Sequence, residues 1–313
     1  MQHDRRRFVR GIALSGLHRS PACFAISYFR AFVIDIRTVS SFSRTQEKVF
    51  ASPGELRAAV RAGRFAGQTA GQCPGYVQTN VVILPAEYAD EFAEFCGAND
   101  RPCPLVAMTS PGDPRLPDVA ADADLRTDVP RYRVFRGGAA DRVEPTDIRG
   151  LWRDDFVGFL LGCSFTFEAA LVAAGLRVRH IDEGRNVPMY RTNRPCRSAG
   201  RFAGPLVVSM RPYRRDQINE VVRITGEFPR MHGAPVHVGD PAAIGIADIT
   251  KPDFGDAVTI HEDELPVFWA CGVTPQLALV AAKPEIAITH SPGHMFVTEL
   301  RDEAFREVVH IAS

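Results

Sequence analysis

WRDDFVGFLLGCSFTFEAALVAAGLRVRHIDEGRNVPMYRTNRPC, residues 152–196, is the stretch on which the reading of this chain turns. Its apolar start predicts a helix broken at Gly162-Cys163-Ser164. The helix resumes to about Ala174, stops at Gly175, and a short strand over 177–181 follows. The loop after it offers Arg185, Asn186, Tyr190, Arg191, Thr192, Asn193 and Arg194 within ten residues. A loop so dense in guanidinium, amide and phenol groups beside a buried helix has the composition of an anion-binding loop.

Outward from that stretch, the flanking chain alternates strands and helices. Ser52-Pro53-Gly54-Glu55 is a capping box opening a helix that Gly63 ends. Strands are predicted at 76–84, 105–108, 132–135, 205–210, 236–238, 257–260, 266–270, 286–289 and 295–298. Helices are predicted from Pro85, over about 216–228, over 274–282 and from about Asp302, with a brief one after Asp240-Pro241. Residues 110–130, rich in Pro, Asp and Gly, form an unusually long connection. The order strand–helix–strand over 267–289 predicts a βαβ unit. The expected fold is therefore α/β, with a mixed, partly parallel sheet flanked by helices and a second, smaller α+β subdomain. Residues 47–150 and 232–313 would form the main part, and 151–231 the smaller one.

The whole chain has 313 residues and zero net charge, which removes the electrostatic case for nucleic acid. No apolar run approaches the ~20 residues of a membrane span. Seven cysteines without close pairing read as reduced thiols in a cytoplasmic compartment. Residues 1–46 stand apart: eight Arg and two Asp make them Arg-rich and acid-poor. Arg5-Arg6-Arg7 resembles an export signal, but the following GIALSGLHRS is a poor apolar core. That segment reads as a disordered extension or a start codon placed too far upstream, outside the fold.

Several groups could carry chemistry. Arg185, Arg191 and Arg211 suit a carboxylate, which the planar guanidinium holds in bidentate fashion, or else form surface ion pairs. His290-Ser-Pro-Gly-His294 supplies two imidazoles in a turn, suited to proton transfer rather than to metal. Cys163 and Cys271 sit beside glycines at chain breaks and are either nucleophiles or inert buried thiols. Glu168 is a first-turn helix residue or a catalytic carboxylate, and Asp240 a helix cap or a proton carrier. Thr274-Pro275-Gln276 opens a helix whose free N–H groups suit an anion. There is no P-loop, no GxGxxG after a strand and no HExxH, so no nucleotide, no other cofactor and no metal is expected.

The blocks GYVQTNVVILP (75–85), DLRTDVPRYRVFR (124–136), WRDDFVGFLLGCSFTFE (152–168), HIDEGRNVPMYRTNRPC (180–196), AGRFAGPLVVSMRP (199–212), HGAPVHVGDP (232–241), PVFWACGVTPQ (266–276) and ITHSPGHMFVT (288–298) together resemble the D-glutamate cyclase family, also called hydro-lyases. The resemblance covers about residues 50–300 in order. It implies an α/β protein and the reversible dehydration of D-glutamate to 5-oxo-D-proline, with a small carboxylate as partner. A hydro-lyase on another small hydroxy acid and a non-catalytic carboxylate-binding protein are the alternatives. On this reading a base and an acid come from His290, His294, Glu168 or Asp240. The substrate is held by Arg185, Asn186, Tyr190, Arg191, Asn193, Arg211, Thr274 or Gln276.

Overall fold

Ser52 caps helix α1 (Pro53–Arg61) by accepting the Glu55 N–H at 3.3 Å. In the computed structural model, which describes residues 49–307, this cap is the first of a series of local signals that the fold obeys. Strand β1 (Tyr76–Pro85) follows, then helix α2 (Ala89–Ala98), with Phe92 and Phe95 buried together. Strands β2 (Leu105–Met108), β3 (Tyr132–Arg136), β4 (Ala139–Ala140) and β5 (Phe156–Gly162) complete the first half. Helices α3 (Phe165–Ala173) and α4 (Arg179–Glu183) lead to strands β6 (Met189–Pro195) and β7 (Pro205–Arg214). Helix α5 (Ile218–Gly226), strands β8 (His237–Val238) and β9 (Glu264–Ala270), helix α6 (Thr274–Ala282) and strands β10 (Ala287–His290) and β11 (Phe296–Arg301) close the order.

The strands make two sheets. The larger runs β2-β5-β1-β10-β3-β4, with β11 also on β1; the smaller runs β6-β7-β9-β8. Helices α2 and α6 cover one face of the large sheet, through Phe92, Phe95, Ala278 and Leu279. The long connection at 110–130 covers the other, through Leu116, Val119, Ala123 and Leu125. Its length thus serves as a lid on a sheet face that no helix reaches. Helices α3 and α5 pack on one face of the small sheet against Trp269 and Tyr213.

Four expectations are corrected. The run FVGFLLG is strand β5, not a helix. All its residues are buried between β1 and β2, and a short run buried on every side carries no period to separate strand from helix. Residues around 177–181 do not pair with any strand; Val178 caps α4 instead, and Gly184 ends that helix in the left-handed region at φ +63°. Residues 257–260 do not join the small sheet: Val258 and Ile260 pack on its outer face, which Phe268 and Tyr190 also line. The βαβ unit is absent, because α6 carries the chain from β9 in one sheet to β10 in the other. Every strand pairing among the described residues is antiparallel. The expectations for residues 1–46, and for the chain beyond residue 307, fall outside the described residues.

One buried ion pair ties α3 to the small sheet. Arg211 on β7 donates from Nε to Glu168 Oε1 at 2.9 Å, and its Nη2 also reaches that oxygen. Nη1 and Nη2 donate to Ser209 and Ser164 at 3.1 and 3.0 Å. The guanidinium lies 5.3–5.4 Å from the ring centroids of Trp269 and Phe167. With both partners almost fully buried, removing one strands the other's charge in an apolar interior. Arg211→Met is therefore expected to cost about 3–5 kcal/mol of unfolding free energy. Arg211→Met with Glu168→Gln should recover much of that loss in urea melts; a double variant no more stable than the single one contradicts this account.

Candidate active site

The site forms where one side of β1 changes partner. Thr289 of β10 pairs with Val82, and Phe296 of β11 pairs with Thr79. Asn80 and Val81 alone span the gap on β1, while residues 290–295 span it on the other side. The extra chain buckles out as the His290-Ser-Pro-Gly-His294 loop. Val81 would lose its ladder partner there. Its N–H instead donates to His290 Nδ1 at 3.1 Å, so an imidazole stands in for a backbone carbonyl.

The loop is pinned from several directions. Ser291 N–H donates to Arg131 O at 2.8 Å, and Gln276 Nε2 to His290 O at 3.1 Å. Thr69 N–H donates to Gly293 O at 2.9 Å, and Met295 N–H to Thr69 Oγ1 at 3.0 Å. Asn186 Nδ2 donates to Pro292 O at 3.0 Å. Gly293 has φ +85°, and a Cβ there would lie 2.6–2.8 Å from the Asn186 side chain. Glycine is required at that point on both counts.

Beside the loop lies a polar cavity of about 350 Å³. His294, Ser291, Asn186, Arg133, Glu144 and the 253–256 loop line it. Arg133 donates from Nε and Nη2 to Glu144 Oε1 at 3.0 and 2.8 Å, and from Nη1 to Gln276 Oε1 at 3.3 Å. Burial pushes the Glu144 carboxyl up, but Arg133 and Ser291 outweigh it and hold the group below its ordinary range. Burial pushes His294 below its ordinary value, with Arg131 adding to the effect. The Nδ1–H of a neutral His294 can donate to Pro292 O at 3.1 Å, which leaves Nε2 as the free acceptor. Asn186 Oδ1 is buried and makes no hydrogen bond to the protein. One cation, three carboxylates, two amides and a neutral imidazole thus share one small space.

Asn186 and His294 line this cavity, and His290 and Gln276 stand one hydrogen bond behind it. The other candidates lie elsewhere. Arg191 pairs with Asp253 on the outer side of the wall, 3.5 Å away and half-exposed. Arg185 binds the Ala257 carbonyl and Glu183. Tyr190 donates to Ile249 O at 2.6 Å, and Thr274 Oγ1 accepts the Val207 N–H at 3.0 Å; both serve the packing of the small sheet. Asn193 is exposed, beside Gly245. Asp240 is an exposed cap that accepts the Ala242 N–H at 3.0 Å. Arg211 is spent on Glu168 Oε1, Ser209 and Ser164 in its own buried cluster, so it is not a free clamp. Burial pushes the Cys163 thiol up to about 12 and that of Cys271 to about 11, which keeps both protonated at neutral pH.

Sequence reasoning missed Arg133, Glu144, Asp253 and Asp256. For Arg133 a signal existed: in YRVFR it is a charged residue in the strand's interior, between Tyr132 and Val134. The acidic residues lie on loops, where spacing carries no information about which cavity they face.

Comparison with known proteins places the chain in a family. The family profile described as D-glutamate cyclase matches residues 157–299. A protein of Bacillus licheniformis named "Putative hydro-lyase" is 59% identical over 254 residues, which is 81% of this chain and 96% of that protein. Proteins of the same name from Verminephrobacter eiseniae and Rubrobacter xylanophilus are 56% and 58% identical, over 83% and 81% of this chain and 94% and 98% of theirs. The chain is a lyase of the hydro-lyase class. It belongs to the D-glutamate cyclase family. Among the described residues no helix is long and apolar enough to cross a membrane.

Two predictions concern the loop. Gly293→Ala must adopt a left-handed φ, at about 1–2 kcal/mol, and must also displace Asn186. It should lower turnover more than stability, as measured by activity assay and urea melt on one preparation. The second concerns pH. Burial pushes His290 from 6.5 down to about 4. Between those values the unfolded chain binds a proton that the folded chain does not, so this histidine's contribution is lost as pH falls from 6.5 to 4. At about 1.4 kcal/mol per pH unit its ceiling is about 3 kcal/mol. His290→Asn should lose stability less steeply over that range than the parent; parallel stability–pH curves would show that His290 is not held neutral.

Proposed function

We propose that the polar cavity binds D-glutamate and that the enzyme dehydrates it reversibly to 5-oxo-D-proline. The observation that carries this reading is the charge arrangement of the cavity, found in a chain of this family. A zwitterionic amino dicarboxylate presents two anionic groups and one cationic group. Arg133 matches the α-carboxylate; Asp253, Asp256 and the free Asn186 Oδ1 match the ammonium. A volume of about 350 Å³ is ample for a molecule of that size.

The reaction forms one N–C bond, breaks one C–O bond and releases water. The α-ammonium must lose one proton before its nitrogen can attack the γ-carbon and a second as the amide forms. The γ-carboxylate takes up one from solvent to become the acid, and the departing hydroxyl gains the other, so the two losses and two gains balance. His294, neutral and with Nε2 free, can take the first proton and return it in the second step. A free carboxylate is a poor electrophile. A γ-carboxyl placed beside the ionised Glu144 has its own pKa raised by the like charge, which favours the protonated, electrophilic form. Holding the chain folded back on itself supplies much of the remaining advantage, since ring closure is limited by orientation.

The purified protein, incubated separately with D-glutamate, L-glutamate and each enantiomer of 5-oxoproline, should interconvert the D forms alone on chiral chromatography. His294→Gln should lower kcat by roughly 10²–10⁴-fold, whereas Arg133→Met should act mainly on KM. Silence on all four compounds sinks this substrate. Turnover of another small hydroxy acid in a wider screen would then move the reading to that acid. Carboxylate binding without any turnover would reduce the protein to a binder.

A further inference from the structure

A second cavity, of about 370 Å³, lies between the 71–76 turn and helix α3. The Gln68–Gln72 turn divides it from the polar cavity: Gln68 faces the one, Gly71 and Gln72 the other. Its walls are mostly apolar, from Phe165, Ala169, Val172 and Ile181. Four polar residues that line it are more than nine-tenths buried. The Gln72 oxygen accepts the Phe50 N–H at 2.8 Å; the other three are Glu168 (3% exposed), Gln78 (4%) and Asp302 (7%).

Each of the three carries a shielded oxygen that makes no hydrogen bond to the protein: Glu168 Oε2, Gln78 Oε1 and Asp302 Oδ1. Every one is an acceptor. Arg211 engages only Oε1 of Glu168. The Gln78 amide spends its donors on Thr69 O and Gln72 O, at 2.8 and 3.1 Å, so its oxygen faces no competing donor of its own. Burial, with Glu303 beside it, pushes the Asp302 carboxyl up to about 7, as befits a carboxyl short of donors. Buried acceptors in native proteins are almost always satisfied, so unmatched ones along one cavity require a reason.

We propose that this cavity is a second ligand site, specific for a small primary ammonium compound with an apolar body. An ammonium offers three N–H donors and a positive charge to walls that hold three unmatched acceptors, two of them carboxyl groups. The apolar body fills the space along α3. A carboxylate ligand would set its charge against Glu168 and Asp302, and a hydrocarbon would leave all three acceptors unmatched. The site is independent of the D-glutamate reading, because its ligand meets neither His294 nor Arg133.

The test is calorimetric titration of the full chain with three probes of one shape: n-pentylammonium, 1-pentanol and pentanoate. The ammonium should bind saturably at a single site, at least tenfold more tightly than the alcohol, and pentanoate should not bind. Ala169→Phe, which fills the cavity, should abolish binding while the circular dichroism of the fold is retained. Asp302→Asn removes one carboxyl and should weaken binding at least fivefold, which keeps the proposal decidable if Ala169→Phe fails to fold. Equal binding of ammonium and alcohol, unchanged binding in the folded Ala169→Phe variant or in Asp302→Asn, or no saturable binding of the ammonium overturns the proposal.

Discussion

The hydrogen bond from Val81 N–H to His290 Nδ1 is the contact on which the architecture of the site depends. A central strand cannot leave a buried N–H unpaired without a cost of about 1–3 kcal/mol. Here one edge of β1 serves two strands in succession, and the break between them would orphan that donor. By filling the vacancy, the imidazole lets the intervening chain leave the sheet. The excursion carries Ser291 and His294 outward to the cavity, while Thr69, Arg131, Asn186 and Gln276 fix its path. A residue that looks catalytic in the sequence is thus a structural keystone, and its neighbour four positions on inherits the free ring nitrogen.

The same economy shows in the arginines. Buried charge is tolerated only where it is paired, and Arg211 and Arg133 are paired differently. Arg211 is enclosed, with its guanidinium shared among Glu168, Ser164 and Ser209 and stacked between aromatic rings. Arg133 is partly exposed, and its partner Glu144 lines the same cavity. A ligand can therefore reach Arg133 without stripping a buried carboxylate of its guanidinium partner. On the proposed reading, that difference makes β3, rather than β7, the source of the cation that meets the substrate.

Local signals in the sequence were read correctly where they are self-contained. The Ser52 cap, the Thr274-Pro275 helix start and the strand at 76–84 each depend on neighbours only a few residues away. The failures share one cause: the deciding partner is remote. FVGFLLG is a strand because β1 and β2 flank it, and nothing within seven apolar residues reports that. Residues 267–289 alternate as a βαβ unit should, yet the two strands enter different sheets. Of the candidate residues, the compact HSPGH motif and Asn186 do meet at one cavity. Arg185, Arg191 and Tyr190, crowded together in the chain, are sent by the pairing of β6 to the rim and to the core of the small sheet.

The account rests on a direct exchange of water at the γ-carbon, with the α-carbon untouched. Isotope analysis of the reverse reaction tests that most directly. Hydrolysis of 5-oxo-D-proline in a mixture of ¹⁸O-labelled water and D₂O, followed by mass spectrometry of the glutamate, should show one ¹⁸O per turnover in the γ-carboxylate and no deuterium at Cα. Glutamate formed without ¹⁸O, or with deuterium at Cα, would contradict it.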